Sequence, residues 1–195
     1  MVDCLPGLER LLDHLERGGV VAFPTDTVPA LAARPPHGTH LWQLKRRPAD
    51  KPLILMGHSQ ELLFSALGSA PLTPWQEQAG RCWPGAVTLV LPAAEGVAEQ
   101  LNPHAPHSLG LRIPAAAAAL ALLRRSGPLA TTSANHSGRP ALLDPASIAA
   151  VFPEVCVWSE LGWPRSAGLA STVLAWQGGG WRCLRRGAVD PLSLC

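Results

Sequence analysis

The sequence predicts an α/β fold, and three observations carry that expectation. Short apolar runs bounded by turn residues recur at 20–23, 53–56, 87–91, 109–113 and 129–132, each the length of a buried strand. Segments with helical spacing alternate with them. Hydrophobic residues make up 47% of the 195, enough for a sizeable core.

The elements follow in order. Residues 5–17 mix apolar and charged groups at helical spacing, and Gly18-Gly19 stop them. The run at 20–23 feeds straight into the polar turn Pro24-Thr25-Asp26-Thr27. Residues 41–45 read as a short helix that delivers a basic loop, 45–53, in which four cations fall within seven positions and two prolines fix the backbone. After the strand at 53–56, helices are expected at 60–67 and at 73–82, the second with Pro74 in its first turn. Trp83-Pro84-Gly85 turns the chain into the strand at 87–91. Pro114 opens an alanine-rich helix that ends near Ser126-Gly127-Pro128. A helix at 145–152 and strands at 155–158, 171–175 and 181–184 complete the reading, with 162–168 as a Pro/Gly-rich loop.

Composition narrows the function. One domain over residues 1–195 is expected from the length. The net charge of +2 implies no bulk attraction to nucleic acid or membrane, so electrostatic function must come from local clustering. No run approaches the roughly 20 apolar residues of a membrane span. The N-terminus carries Asp3, Glu9 and Asp13 rather than a basic-then-apolar leader, so a cytoplasmic protein is expected. The five cysteines are odd in number and scattered, which points to reduced thiols rather than a disulfide framework or zinc site.

Polar segments sit at the ends of apolar strands: 24–27, 45–51, Ser108 to Arg112, and 131–135. Ligands gather where strand ends meet loops in α/β sheets. Hydroxyls, guanidinium groups and an amide would converge there, an inventory suited to holding and orienting an anion. Taken singly, the basic run reads as readily as a charged surface turn, while Thr25 and Thr27 read first as a local hydroxyl turn and Ser133 and Asn135 as a cap. His104 and His107 have metal-like spacing, but Pro103 and Pro106 argue against the helix it needs, and no metal site is expected. His136 reads as a loop residue. Neither a Gly-x-Ser-x-Gly elbow nor a Gly-x4-Gly-Lys-[Ser/Thr] loop is present.

Taken together, the segments at 18–28, 45–55, 83–88, 111–114, 131–138, 171–173 and 184–187 resemble the YrdC-type threonylcarbamoyl-AMP synthases, with Lys45/Arg47 and Ser133/Asn135 as the signature pairs. The resemblance implies a twisted mixed sheet with flanking helices around a concave, positively lined cavity. It implies that L-threonine, bicarbonate and ATP are joined into threonylcarbamoyl-AMP with release of pyrophosphate. A separate tRNA threonylcarbamoyl transferase complex would pass the group to adenosine 37 of tRNA. By the same resemblance Arg47, Lys51, Ser108, Ser133 and Arg185 would hold ATP. Lys45 would neutralise phosphate or carbamate charge, with Arg47, Ser133 and Asn135 beside it. Thr27, Arg112, Thr131 and Ser171 would hold threonine, Arg112 by its carboxylate. Mg2+ would accompany ATP, ligated mainly by phosphate. The chain departs from many relatives in having Pro29-Ala30 where they have Tyr-Gly, Met56 where some have histidine and Ala141 where others have serine.

Two other readings stay open on the residues. One keeps the fold but handles a carbamoyl adenylate. The other is a non-catalytic module, or an inactive paralogue, contacting tRNA or double-stranded RNA through the basic loop and Arg124, Arg125, Arg182, Arg185 and Arg186. The low net charge and the lack of aromatic residues between those cations weigh against RNA binding.

Overall fold

The computed structural model describes residues 5–46, 51–94 and 96–194. The order is α1 (Leu8–Glu16), β1 (Val21–Phe23), β2 (Ala30–Ala33), a 3-10 turn (Pro35–His37), α2 (Thr39–Leu44), β3 (Ile54–Met56), α3 (Gln60–Ser65) and α4 (Thr73–Cys82). Then come β4 (Val87–Pro92), α5 (Val97–Leu101), β5 (Ser108–Arg112), α6 (Ala117–Ser126), β6 (Leu129–Ser133), α7 (Pro145–Val151), β7 (Cys156–Val157), β8 (Thr172–Gln177), β9 (Gly180–Arg185) and a last 3-10 turn (Pro191–Leu194).

Local chemistry explains several boundaries. Helix α1 ends in a Schellman motif, Gly18 N–H donating to Leu15 O and Gly19 N–H to His14 O, with Gly18 at φ 79°. Asp144 caps α7 by accepting from Ser147 N–H at 2.8 Å, with Pro145 in the first turn. Strand β2 and helix α5 were not expected from the sequence. Ala30-Leu31-Ala32-Ala33 has no β-branched residue, and it is a strand because β1 and β6 pair with it on both sides and bury it.

The strands form one mixed nine-stranded sheet in the order β7-β1-β2-β6-β3-β5-β4-β8-β9. The pairs β1/β7, β3/β5 and β4/β8 are parallel and the rest antiparallel. The period-2 alternation of side chains separates two faces. Leu31, Leu55, Leu89, Leu111 and Leu174 point into a large core shared with α2, α3, α4, α5 and α7. The opposite face is covered by α1 and α6, whose Leu8, Leu11, Leu15, Leu122 and Leu123 pack on Val21, Phe23, Ala30, Ala32, Met56 and Leu129. That cover reaches β1, β2, β6 and β3. Over β5, β4 and β8 the same face carries Gly110, Arg112, Thr88 and Val173, and these residues belong to neither core cluster. The sheet therefore has one half-face without a helix on it, and the site described below lies there.

The end of the sheet is fastened by Thr172, fully buried. Its hydroxyl donates to Val189 O and accepts from the N–H groups of Gly187 and Val189 at 3.1 and 3.2 Å. Gly187 passes so close to the 170–171 backbone that a Cβ would lie 2.3 Å from Ala170 O. Replacing Thr172 with valine keeps the shape and removes all three hydrogen bonds. Thr172→Val is expected to cost about 2 kcal/mol, read as a lower urea midpoint with an unchanged m value. A midpoint equal to that of the parent protein would refute this role.

Candidate active site

Two adjoining cavities occupy the uncovered half-face. The smaller, about 130 Å³, is walled by the loop before β2, by the start of β3 and by the ends of β5 and β6. The larger, about 610 Å³, runs along β4, β5 and β8. Pro52, Ile54, Ser171 and Arg185 belong to both, so the two are continuous. At Gly110 a Cβ would come within 2.8 Å of Ile54 Cγ2, so glycine keeps the floor between the strands flat.

Arg112 closes one side of the small cavity. It ends β5, is 2% exposed, and donates from Nε to Gly85 O at 3.0 Å, from Nη1 to Thr27 Oγ1 at 2.8 Å and from Nη2 to Asp26 Oδ1 at 2.8 Å. Burial lowers its pKa, the Asp26 carboxylate opposes that, and Arg185 lowers it again. The group stays cationic. Two guanidinium groups thus act on one another across the cavity, and an anion between them would relieve the repulsion. Three of the five N–H donors of Arg112 have protein partners, which leaves two for a ligand.

The loop that presents Thr27 is shaped by its own hydroxyls. Thr25 Oγ1 donates to Val28 O at 2.8 Å and accepts from Thr27 N–H at 3.1 Å. Ser166, in the loop expected at 162–168, donates to Thr27 O from above. Across the cavity Thr131 Oγ1 donates to Ile54 O at 3.2 Å. Ser171 Oγ lies 2.8 Å from Thr88 Oγ1, and Arg185 donates to Ser171 O at 2.9 and 3.2 Å.

Behind the small cavity lies a latch. The Lys45 ammonium is 1% exposed and donates to Ser133 O, to Asn135 O at 2.6 Å and to Asn135 Oδ1 at 2.7 Å. Ser133 Oγ donates to the same Asn135 Oδ1 at 2.7 Å, and Ser137 N–H to Lys45 O at 3.1 Å. A buried ammonium needs such oxygens, and here it fixes the turn that follows β6.

The residues expected from the sequence fall into groups. Thr27, Arg112, Thr131, Ser133 and Ser171 line the small cavity, with Arg185. Lys51, Ser108, Ser171 and Arg185 line the large one. Lys45 and Asn135 line neither and form the latch. Arg47 lies outside the described residues. Sequence reasoning assigned no role to Asp26, the partner of Arg112, or to Thr88, the partner of Ser171. Both stand inside motifs that were read, and a charged residue buried in an apolar strand needs a counter-charge somewhere in the chain.

Residues 13–187 match the Sua5/YciO/YrdC family, described as Telomere recombination. The chain is 34% identical over 174 residues to the threonylcarbamoyl-AMP synthase of Bacillus subtilis (strain 168), covering 87% of this chain and 50% of that protein. It is 36% identical over 161 residues to the threonylcarbamoyl-AMP synthase of Xanthomonas campestris pv. campestris (strain B100), covering 75% and 83%. The crystal structure of P. abyssi Sua5 complexed with L-threonine superposes with a TM-score of 0.85 at 30% identity, over 96% of this chain and 56% of that one. The chain thus spans about half the length of the Bacillus and P. abyssi proteins. From a match that runs through almost the whole sheet and both cavities, the chain belongs to the Sua5/YciO/YrdC family.

Proposed function

We propose that this protein is an L-threonylcarbamoyladenylate synthase, using L-threonine, bicarbonate and ATP. The observation that carries the reading is how these residues distribute over two joined cavities, which share Ser171 and Arg185. The residues expected to hold threonine line the small cavity, and most of those expected to hold ATP line the large one. The relatives named threonylcarbamoyl-AMP synthase support that product, and the threonine-bound Sua5 supports threonine as a substrate.

The chemistry fits the side chains. The threonine amine adds to bicarbonate with loss of water to give a carbamate. A carbamate oxygen then attacks the α-phosphorus of ATP, and the bond to the bridging oxygen breaks, releasing pyrophosphate. Such a transfer needs alignment and charge neutralisation rather than a protein nucleophile. Arg112 would take the threonine carboxylate on its two remaining donors, with Thr27 and Thr131 at the side chain. Arg185 stands where the cavities join, which suits the transferring phosphate. Lys51 and Ser108 would hold the rest of the nucleotide. The latch would keep Ser133 at the reacting centre, so Lys45 would act through position.

Magnesium fits as an ion carried by ATP. Among the described residues no group of three or more His, Cys, Asp or Glu is placed to hold a metal, and Asp26 is taken by Arg112. Phosphate oxygens and water would ligate it, and when bound it would screen the charge of the leaving pyrophosphate. The product would serve a tRNA threonylcarbamoyl transferase complex. No helix among the described residues is long and apolar enough to cross a membrane. Cys82, Cys156 and Cys183 are free thiols, which suits a cytoplasmic setting.

Pyrophosphate release in the presence of ATP and bicarbonate is expected to depend on L-threonine; release indifferent to threonine, or RNA binding without turnover, would defeat the assignment. The two cavities should also separate kinetically. Arg112→Lys, which loses the planar fork, is expected to lower kcat/KM for threonine by roughly 30-fold, about 2 kcal/mol, with the ATP KM nearly unchanged. Lys51→Ala is expected to raise the ATP KM by roughly tenfold and spare threonine. Equal effects of each variant on both substrates would contradict the division.

A further inference from the structure

A second cleft, of about 620 Å³, lies apart from the active site and shares no lining residue with either cavity. It sits between the C-terminal end of α1, helix α2, the turn after β6 and the end of α7. Arg17, Arg46, His14, His40 and His136 line it, and Glu154 is the carboxylate on its wall.

The charges here are not balanced. Arg17 and Arg46, like most of the described arginines, have no ion pair among the described residues, and here two such cations line one cleft. Burial, and then Arg17 and Arg10, hold the His14 pKa below its usual value, as expected where cations gather. The cleft is also built rather than incidental. The His14 ring lies over Gly19, where a Cβ would come within 2.2 Å of its Nε2. Arg46 stands at φ 48°, a strained conformation for any residue but glycine. His136 meets the ring of buried Phe152 edge-on at 4.8 Å, and its Nδ1 is buried with no hydrogen-bond partner among the described residues. One wall is therefore aromatic and the rim is cationic.

We propose that this cleft binds a phosphate-bearing ligand. Guanidinium forks match phosphate oxygens in pairs, and imidazoles add N–H donors. The two arginines outweigh Glu154, and the volume exceeds what a lone inorganic ion needs. The proposal stands independently of the synthase reading, because none of these residues lines either cavity of the active site. Free phosphorylated compounds and the RNA backbone offer the same chemistry, and the experiment separates them.

The imidazole resonances of the intact protein provide the readout. His14, His40 and His136 report on the cleft, and His107 reports on the large cavity. Titration with inorganic pyrophosphate is expected to shift the three cleft histidines along a saturating curve. Arg17→Ala and Arg46→Ala change exposed side chains and are each expected to weaken that binding by roughly tenfold, leaving the His107 response intact. A short RNA duplex forms the second arm. Saturation by pyrophosphate identifies a free anion as the ligand source, and saturation by the duplex alone identifies RNA. The proposal is overturned if neither probe saturates the three resonances, or if both variants bind as the parent does.

Discussion

The guanidinium of Arg112 ties together three stretches that are far apart in sequence. Its strand places it under the uncovered half of the sheet, and its partners come from the 24–29 loop and from the turn before β4. With one end on Gly85 O and the other on Asp26 and Thr27, it ties the 24–29 loop, a wall of the small cavity, to the turn before β4. A buried ion pair adds little net stability, because desolvation offsets the attraction, yet removing one partner costs roughly 3–5 kcal/mol. Its value here is geometric. It holds a cation beside an open space while leaving two of its donors unused.

Why the space is open follows from the helices. Helices α1 and α6 touch each other and cover the β1-β2-β6-β3 part of their face, and their leucines end there. The other helices are committed to the opposite face by the alternation of Leu55, Leu89 and Leu111 with Ile54, Thr88 and Arg112. The residues left over β5, β4 and β8 are accordingly small, hydroxylated or charged. Arg112 and Thr88 are themselves almost fully buried, so a ligand meets this half-face through the cavities that Arg112, Ile54 and Ser171 line. The Lys45 latch works in the same way at the edge: the ammonium donates to oxygens of Ser133 and Asn135 and so fixes the turn that carries Ser133.

Much of this was legible in the sequence, and the reasons differ by element. Apolar runs such as 87–91 and 109–113 announced strands because they are long enough to show a pattern and are bounded by turns. Gly18-Gly19 announced a helix end because the Schellman geometry needs a left-handed residue. Strand β2 was not legible: alanine carries almost no strand signal, and only its neighbours make it one. The site was legible as a set of residue types but not as an arrangement. The run from Lys45 to Lys51 alone reads as readily as a charged surface turn, and nothing local shows that Lys45 is buried under the turn at 133–135. Asp26 was hidden for a similar reason, since its partner lies 86 residues away.

The altered turn Pro29-Ala30 is best judged by what it does to the small cavity. Proline is tolerated just before a strand, because no ladder amide is needed there. Its carbonyl still accepts from Ala134 N–H at 2.9 Å, and Ala30 still pairs with Ser133, so the fold absorbs the change. What changes is chemistry. Val28, Pro29, Ala30, Ile54 and Met56 give the cavity apolar surface beside the hydroxyl-bearing Thr27, Thr131, Ser133 and Ser171, with Ala30 paired to Ser133 and Ile54 to Thr131. A volume of about 130 Å³, against about 610 Å³ in the adjoining cavity, suits a small amino acid better than a nucleotide. A side chain with one methyl and one hydroxyl matches both kinds of surface. Serine would leave the apolar surface without a methyl, and valine would put a methyl where a hydroxyl could hydrogen-bond, which is the costlier mismatch. The apolar turn therefore strengthens the case for a β-branched hydroxy amino acid in this cavity.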